Sequence, residues 1–148
     1  MEVLLILDQS GSMNEATHSR GRGSVKQTKI GTLRKALPIA LEKLPDTCVL
    51  NIISFGSRVC FMWDKYQGSR PFSGDNRRSA IEYAGSIHAD MGGTEILAAL
   101  EAAVQSCSSE HVSSQIIIIT DGEVEPEHVI EFVSRIRQRL QDLIRFLL

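Results

Sequence analysis

The chain carries no excess of positive charge. Sixteen Lys and Arg stand against eighteen Asp and Glu over 148 residues, a net charge of -2. A nucleic-acid-binding domain is ordinarily strongly basic, so no nucleic-acid partner is expected. No apolar run approaches the roughly 20 residues that a bilayer span requires, so no membrane span is expected. The N-terminus, Met1-Glu2, lacks a basic stretch and a small-residue cleavage site, and no signal peptide is expected. Cysteine is scarce and odd in number. Cys48, Cys60 and Cys107 match no zinc or redox spacing and are expected to be reduced core thiols. With neither leader nor disulfide framework, an intracellular, cytoplasmic location is expected. His18, His88, His111 and His128 are scattered singly, none at metal-ligand spacing, and read as surface or loop residues. No Gly-x-Ser-x-Gly elbow and no phosphate-cradling Gly-Lys-Ser/Thr loop occurs.

What is present fits one domain over residues 1–148, with 43% hydrophobic residues to build its core. Val3 to Leu7 and Ile116 to Ile119 are continuous apolar runs, the composition of strands buried on both faces of a parallel sheet. Cys48 to Phe55 and Val59 to Trp63 are two further strands. Only Gly56-Ser57-Arg58 separates them, which makes them antiparallel neighbours. Helical spacing predicts a helix from Ile30 to Leu44 with a kink at Pro38, then helices around Ala80–Ile87 and Ile96–Val104. A last helix starts near Pro126 and runs across Arg137 to Asp142 toward the terminus, with Ile144 to Leu148 as the start of another strand the alternative. Gln67 to Asn76 reads as a loop. The basic residues His18, Arg20, Arg22, Lys26 and Lys29 read as a solvated loop, with an anion-binding patch as the alternative. Trp63 and Phe61 read as strand packing.

The order of elements is that of an α/β protein, in which ligands bind at the carboxyl ends of the strands. Two strands end there on acids, Leu7-Asp8 and Thr120-Asp121. Ser10 and Ser12 follow Asp8, and Thr94 follows Gly92-Gly93 at the entrance to a helix, where it is also a good N-cap. Two carboxylates and three hydroxyls form a hard-oxygen set that suits Mg²⁺, Mn²⁺ or Ca²⁺ rather than zinc. If the neutral hydroxyls bind directly and the aspartates act through water, the ion keeps positive charge for an outside carboxylate. The same acids could instead activate water, the reading of a Mg²⁺-dependent hydrolase or phosphotransferase. Against that, no basic residue is fixed beside Asp8 or Asp121 by sequence.

Asp8-Gln9-Ser10-Gly11-Ser12, Thr94 and Asp121 resemble the metal-ion-dependent adhesion site of von Willebrand factor type A domains, whose pattern is Asp-x-Ser-x-Ser, a distant Thr and a distant Asp. Asn51 to Ser57, Gly92 to Ile96 and Thr120 to Val124 look most like the subgroup that follows a "VIT" domain, including the von Willebrand domain-containing protein 5 type. The resemblance covers nearly the whole chain. It implies a Rossmann-like open, mostly parallel sheet with one antiparallel edge strand and helices on both faces. It implies Ser10, Ser12 and Thr94 as ligands of Mg²⁺ (or Mn²⁺/Ca²⁺), with Thr94 engaging when a partner binds and Asp8 and Asp121 acting through waters or hydrogen bonds. The implied function is non-enzymatic: metal-dependent binding of a protein that offers an Asp or Glu carboxylate.

Members of the family usually continue with another strand, a helix and a sixth strand. The chain is therefore expected to be C-terminally incomplete, with its last strands missing and the isoleucine strand left as an edge. A non-functional fragment of a larger protein is the reading that follows if the remainder cannot fold alone. The Thr17 to Gly23 segment also looks longer and more basic than is usual.

Overall fold

The computed structural model describes residues 1–17, 27–107, 113–121, 126–140 and 144–147. Strand β1 (Glu2–Asp8) is buried along its whole length. It is flanked by two parallel neighbours, β2 (Val49–Phe55) and β5 (Ser114–Ile119). Strand β3 (Val59–Phe61) returns antiparallel on the outer side of β2, as the three-residue connection requires. The two-residue strand β4 (Arg70–Pro71) lies within the expected 67–76 loop and pairs antiparallel with Val49 and Leu50. With a last strand β6 (Ile144–Leu147) at the far edge, the sheet order is β3-β2-β1-β5-β6, and β4 pairs β2.

The continuous apolar runs feed two separate cores because successive side chains point to opposite faces. Val3, Leu5 and Leu7 join Leu50 and Ile52 beneath helices α1 (Lys29–Leu41) and α2 (Gly74–Ala84), which contribute Ile30, Leu37, Leu41, Ala80 and Ala84. Leu4 and Ile6 join Ile53, Phe55, Ile116 and Ile118 beneath α3 (Ile96–Ser106) and α4 (Pro126–Leu140). Each large aliphatic side chain buried in this way contributes about 1.5–3 kcal/mol. The sheet is thus open and mostly parallel, with an antiparallel edge and helices on both faces.

Three expectations are corrected. The final segment does not continue as helix: α4 ends at Leu140, and β6 (Ile144–Leu147) pairs in parallel with β5 from Ser114 to Ile117. Ile117 and its predecessors therefore have a ladder partner, and the isoleucine strand is not an open edge there. Backbone pairing along β5 outweighs the helical periodicity that carries on past Leu140. Second, β5 is buried at Ile116 and Ile118 and only half-buried at Ile117 and Ile119. The core under α1 and α2 is centred on β1 and β2, and the latter pair lies at its margin. Third, Cys48 is buried and Cys107 half-buried, but Cys60 is exposed on the edge strand β3. Helix α1 runs through Pro38 as one element, and Glu42 donates to the Pro38 carbonyl at 3.0 Å.

Candidate metal centre

The register of the central strands sets the site. Leu7 lies opposite Ile119, so Asp8 emerges beside Thr120 at the carboxyl ends of β1 and β5. Asp8 is fully buried. Thr120 Oγ1 donates to Asp8 Oδ2 at 2.6 Å, and the Ser10 N–H donates to Asp8 Oδ1 at 2.9 Å. Both carboxylate oxygens are engaged, which fixes the start of the loop. Gln9 anchors the next position. Its N–H donates to the Phe55 carbonyl at 2.9 Å, and its carbonyl accepts from Met91 N–H at 3.0 Å. Its side-chain Nε2 donates to Ser54 Oγ at 2.7 Å, and that hydroxyl is 2.8 Å from Tyr83 Oη on α2.

Held in this way, the chain enters a single 3-10 turn, Gly11–Asn14, closed by Met13 N–H on the Ser10 carbonyl at 3.1 Å. The turn brings Ser10 Oγ and Ser12 Oγ to 3.1 Å. Gly11 N–H donates to the Gly92 carbonyl at 2.8 Å, tying the serine turn to the Gly92-Gly93-Thr94 loop. That loop depends on two glycines, Gly92 and Gly56. Gly92 has φ +77°, open to glycine at little cost. Gly93 N–H donates to Ser57 Oγ at 2.7 Å, and the backbone of Met91 leaves no room for a Cβ at Gly56. Thr94 is half-buried and is not the helix cap: Glu95 occupies the N-cap position of α3.

The Asp121 carboxylate is nearly closed to solvent, with 3% of its side chain exposed. Lys29 Nζ is 3.1 Å from its Oδ2 and 2.9 Å from Glu15 Oε2. These bonds, Glu15 first and Asp121 second, hold the Lys29 ammonium above its ordinary value of 10.5 against the opposing effect of burial. Two expectations change as a result. Lys29 is not part of a solvated basic loop, and a basic residue does stand beside one of the two acids. The other members of that basic cluster, His18, Arg20, Arg22 and Lys26, lie outside the described residues, as does His111. His88 and His128 are exposed, and His88 Nδ1 is 3.3 Å from the Arg34 guanidinium. Trp63 is buried, and its backbone is held by the side chain of Asn51.

Oxygens bound to Mg²⁺ at about 2.1 Å and at right angles lie about 3.0 Å apart. The hydroxyls of Ser10 and Ser12 stand at that separation, on a turn fixed at both ends, and they fit two adjacent ligand positions. Among the described residues no group of three or more His, Cys, Asp or Glu side chains could hold a metal. Sequence reading missed Thr120, Gln9 and Glu15 as supports of the site. Thr120 was within reach, since it directly follows the isoleucine run, whereas Glu15 and Lys29 gave no signal.

The family model for the von Willebrand factor type A domain matches residues 2–147. A von Willebrand factor A domain-containing protein of Dictyostelium discoideum is 34% identical over 135 residues, 90% of this chain and 13% of the relative. Human von Willebrand factor A domain-containing protein 5A is 32% identical over 125 residues, 83% of this chain and 15% of the relative. The chain thus spans only a small part of the length of these relatives. A crystal structure of an aerotolerance-related membrane protein from Bacteroides fragilis superposes with a TM-score of 0.72 at 21% identity, covering 98% of this chain and 64% of that one. No helix among the described residues is long and apolar enough to cross a membrane. The chain belongs to the von Willebrand factor type A family, whose domains are generally protein-interaction modules.

Proposed function

We propose that this domain binds a protein partner through a divalent cation held at the end of β1. Ser10, Ser12 and Thr94 would supply hydroxyl ligands to Mg²⁺, Mn²⁺ or Ca²⁺, while Asp8 and Asp121 act through water or hydrogen bonds. The observation that carries this reading is the 3.1 Å separation of Ser10 Oγ and Ser12 Oγ on a turn pinned by Asp8, Gln9 and Gly92. When bound, the ion supplies positive charge for an Asp or Glu carboxylate of the partner. The chain's own part is to keep that charge from being cancelled. Asp8 is already engaged by Thr120 and Ser10. Neutral hydroxyls attract an ion less strongly than carboxylates but leave its charge available. The function is recognition, with no covalent step.

Partner capture with Mg²⁺ and with EDTA, by wild type and by Ser12→Ala, tests the reading. Capture that needs the ion and is lost in Ser12→Ala is the expected result. Equal capture under every condition would refute it.

A further inference from the structure

Lys29 is the first residue of α1, where the positive end of the helix dipole disfavours a cation. The cap there is Thr28, whose Oγ1 accepts from Gly31 N–H at 3.1 Å, so Lys29 is not needed to start the helix. Its ammonium nevertheless reaches Asp121, 92 positions away, whose side chain is almost wholly shielded from solvent. The second contact, to Glu15, is built into the same framework. Glu15 N–H donates to the Ser12 carbonyl at 3.0 Å, and the Glu15 carbonyl accepts from Lys29 N–H at 3.0 Å. Glu15 therefore bridges the serine turn and the start of α1.

We propose that Lys29 is a tethered cation that occupies the Asp121 carboxylate and competes with the divalent ion for it. The inference rests on the metal-binding reading above. An ammonium and a divalent ion, or the water that ion carries, seek the same lone pairs on Asp121. Their like charges also repel. Glu15 makes the exchange inexpensive. Lys29 already bonds it at 2.9 Å and keeps one carboxylate when Asp121 is surrendered. The arrangement gives an ion-free state in which the nearly closed Asp121 has a charge partner. It also lowers affinity for the ion, and a partner's carboxylate offsets that loss by bringing negative charge of its own.

The test is Mn²⁺ titration calorimetry on the chain, comparing wild type with Lys29→Met, Lys29→Gln, Lys29→Arg and Ser12→Ala, with thermal unfolding of each as a check on folding. Lys29→Met and Lys29→Gln are expected to bind Mn²⁺ about tenfold more tightly than wild type, as removal of one nearby positive charge predicts. Lys29→Arg keeps the charge and is expected to stay close to wild type. Unchanged or weaker binding in both neutral variants, with binding still lost in Ser12→Ala, overturns the competition while leaving the metal site in place. No Mn²⁺ binding by any of the proteins overturns both. Wild type gives an independent reading: the side-chain NMR signals of Lys29 shift when Mg²⁺ is added, and signals that stay fixed at saturation refute the exchange.

Discussion

Thr120 at the end of β5 donates its hydroxyl to the buried carboxylate of Asp8 at the end of β1, 2.6 Å away and 112 positions apart in sequence. The bond joins the two central strands at the point where the candidate site begins. A hydrogen bond to a charged acceptor is worth about 1.5–3 kcal/mol, more than a neutral one. Thr120→Val keeps the shape and deletes the donor. Urea unfolding of this variant is expected to show a loss in that range, with the slope of free energy against urea unchanged.

Ser54 links Gln9 to Tyr83 inside the protein, and Gln9 in turn fixes Ser10. Ser54→Ala leaves the Gln9 amide buried without that acceptor. The expected cost is about 1–3 kcal/mol. Tyr83→Phe removes only the outer bond of the chain and should cost less, about 0.5–1.5 kcal/mol. Denaturant curves for the two variants check the order.

Gly56 lies against Met91, the residue before the Gly92-Gly93-Thr94 loop, and its carbonyl accepts from Glu95 N–H at 2.9 Å. A methyl at Gly56 would overlap Met91 backbone atoms, which cannot swing aside as a side-chain tip can. Gly56→Ala is expected to lower stability by about 1–3 kcal/mol or more. It should also weaken Mn²⁺ binding, because the loop that carries Thr94 must shift. Calorimetry and thermal unfolding together read both effects.

How far the sequence disclosed this arrangement depends on the range of the interaction. β1, β2, β3 and the two acids at strand ends were legible because apolar runs and a short turn are local signals. The return of β6 was legible only as the alternative to helix: the apolar run from Ile144 allows a strand, helical spacing carries on past Leu140, and pairing with β5 decides for the sheet. β4 is too short to leave a pattern. Thr94 looked like a helix cap because Thr followed by Glu-Ile-Leu is favourable there, yet the helix starts one residue later. Lys29 looked like one more charge in a basic stretch. Its bond to Asp121 spans most of the chain, and nothing within a sequence window encodes it.

The three thiols divide by environment. Burial, assisted by the Glu2 carboxylate, pushes the Cys107 thiol up to about 11 from 9.0, against a smaller opposing bond from Ser114. Burial also raises Cys48. Cys60, exposed on β3, is expected to be alkylated first at pH 8, with Cys48 and Cys107 far slower, as mass spectrometry of partly labelled protein would show. Below pH 9 the Cys107 thiol is neutral in both folded and unfolded chains and its contribution is intact. Between about 9 and about 11 the unfolded chain ionises first, so stability falls. Cys107→Ala is expected to flatten that part of the pH profile.

An ion held by Ser10 and Ser12 is the core of the proposed function. A crystal structure grown with Mn²⁺, with anomalous data collected at the manganese edge, tests it most directly. The predicted result is a single anomalous peak about 2.1 Å from both Ser10 Oγ and Ser12 Oγ. Saturating Mn²⁺ with no peak at those hydroxyls, or a peak ligated only elsewhere on the chain, would contradict it.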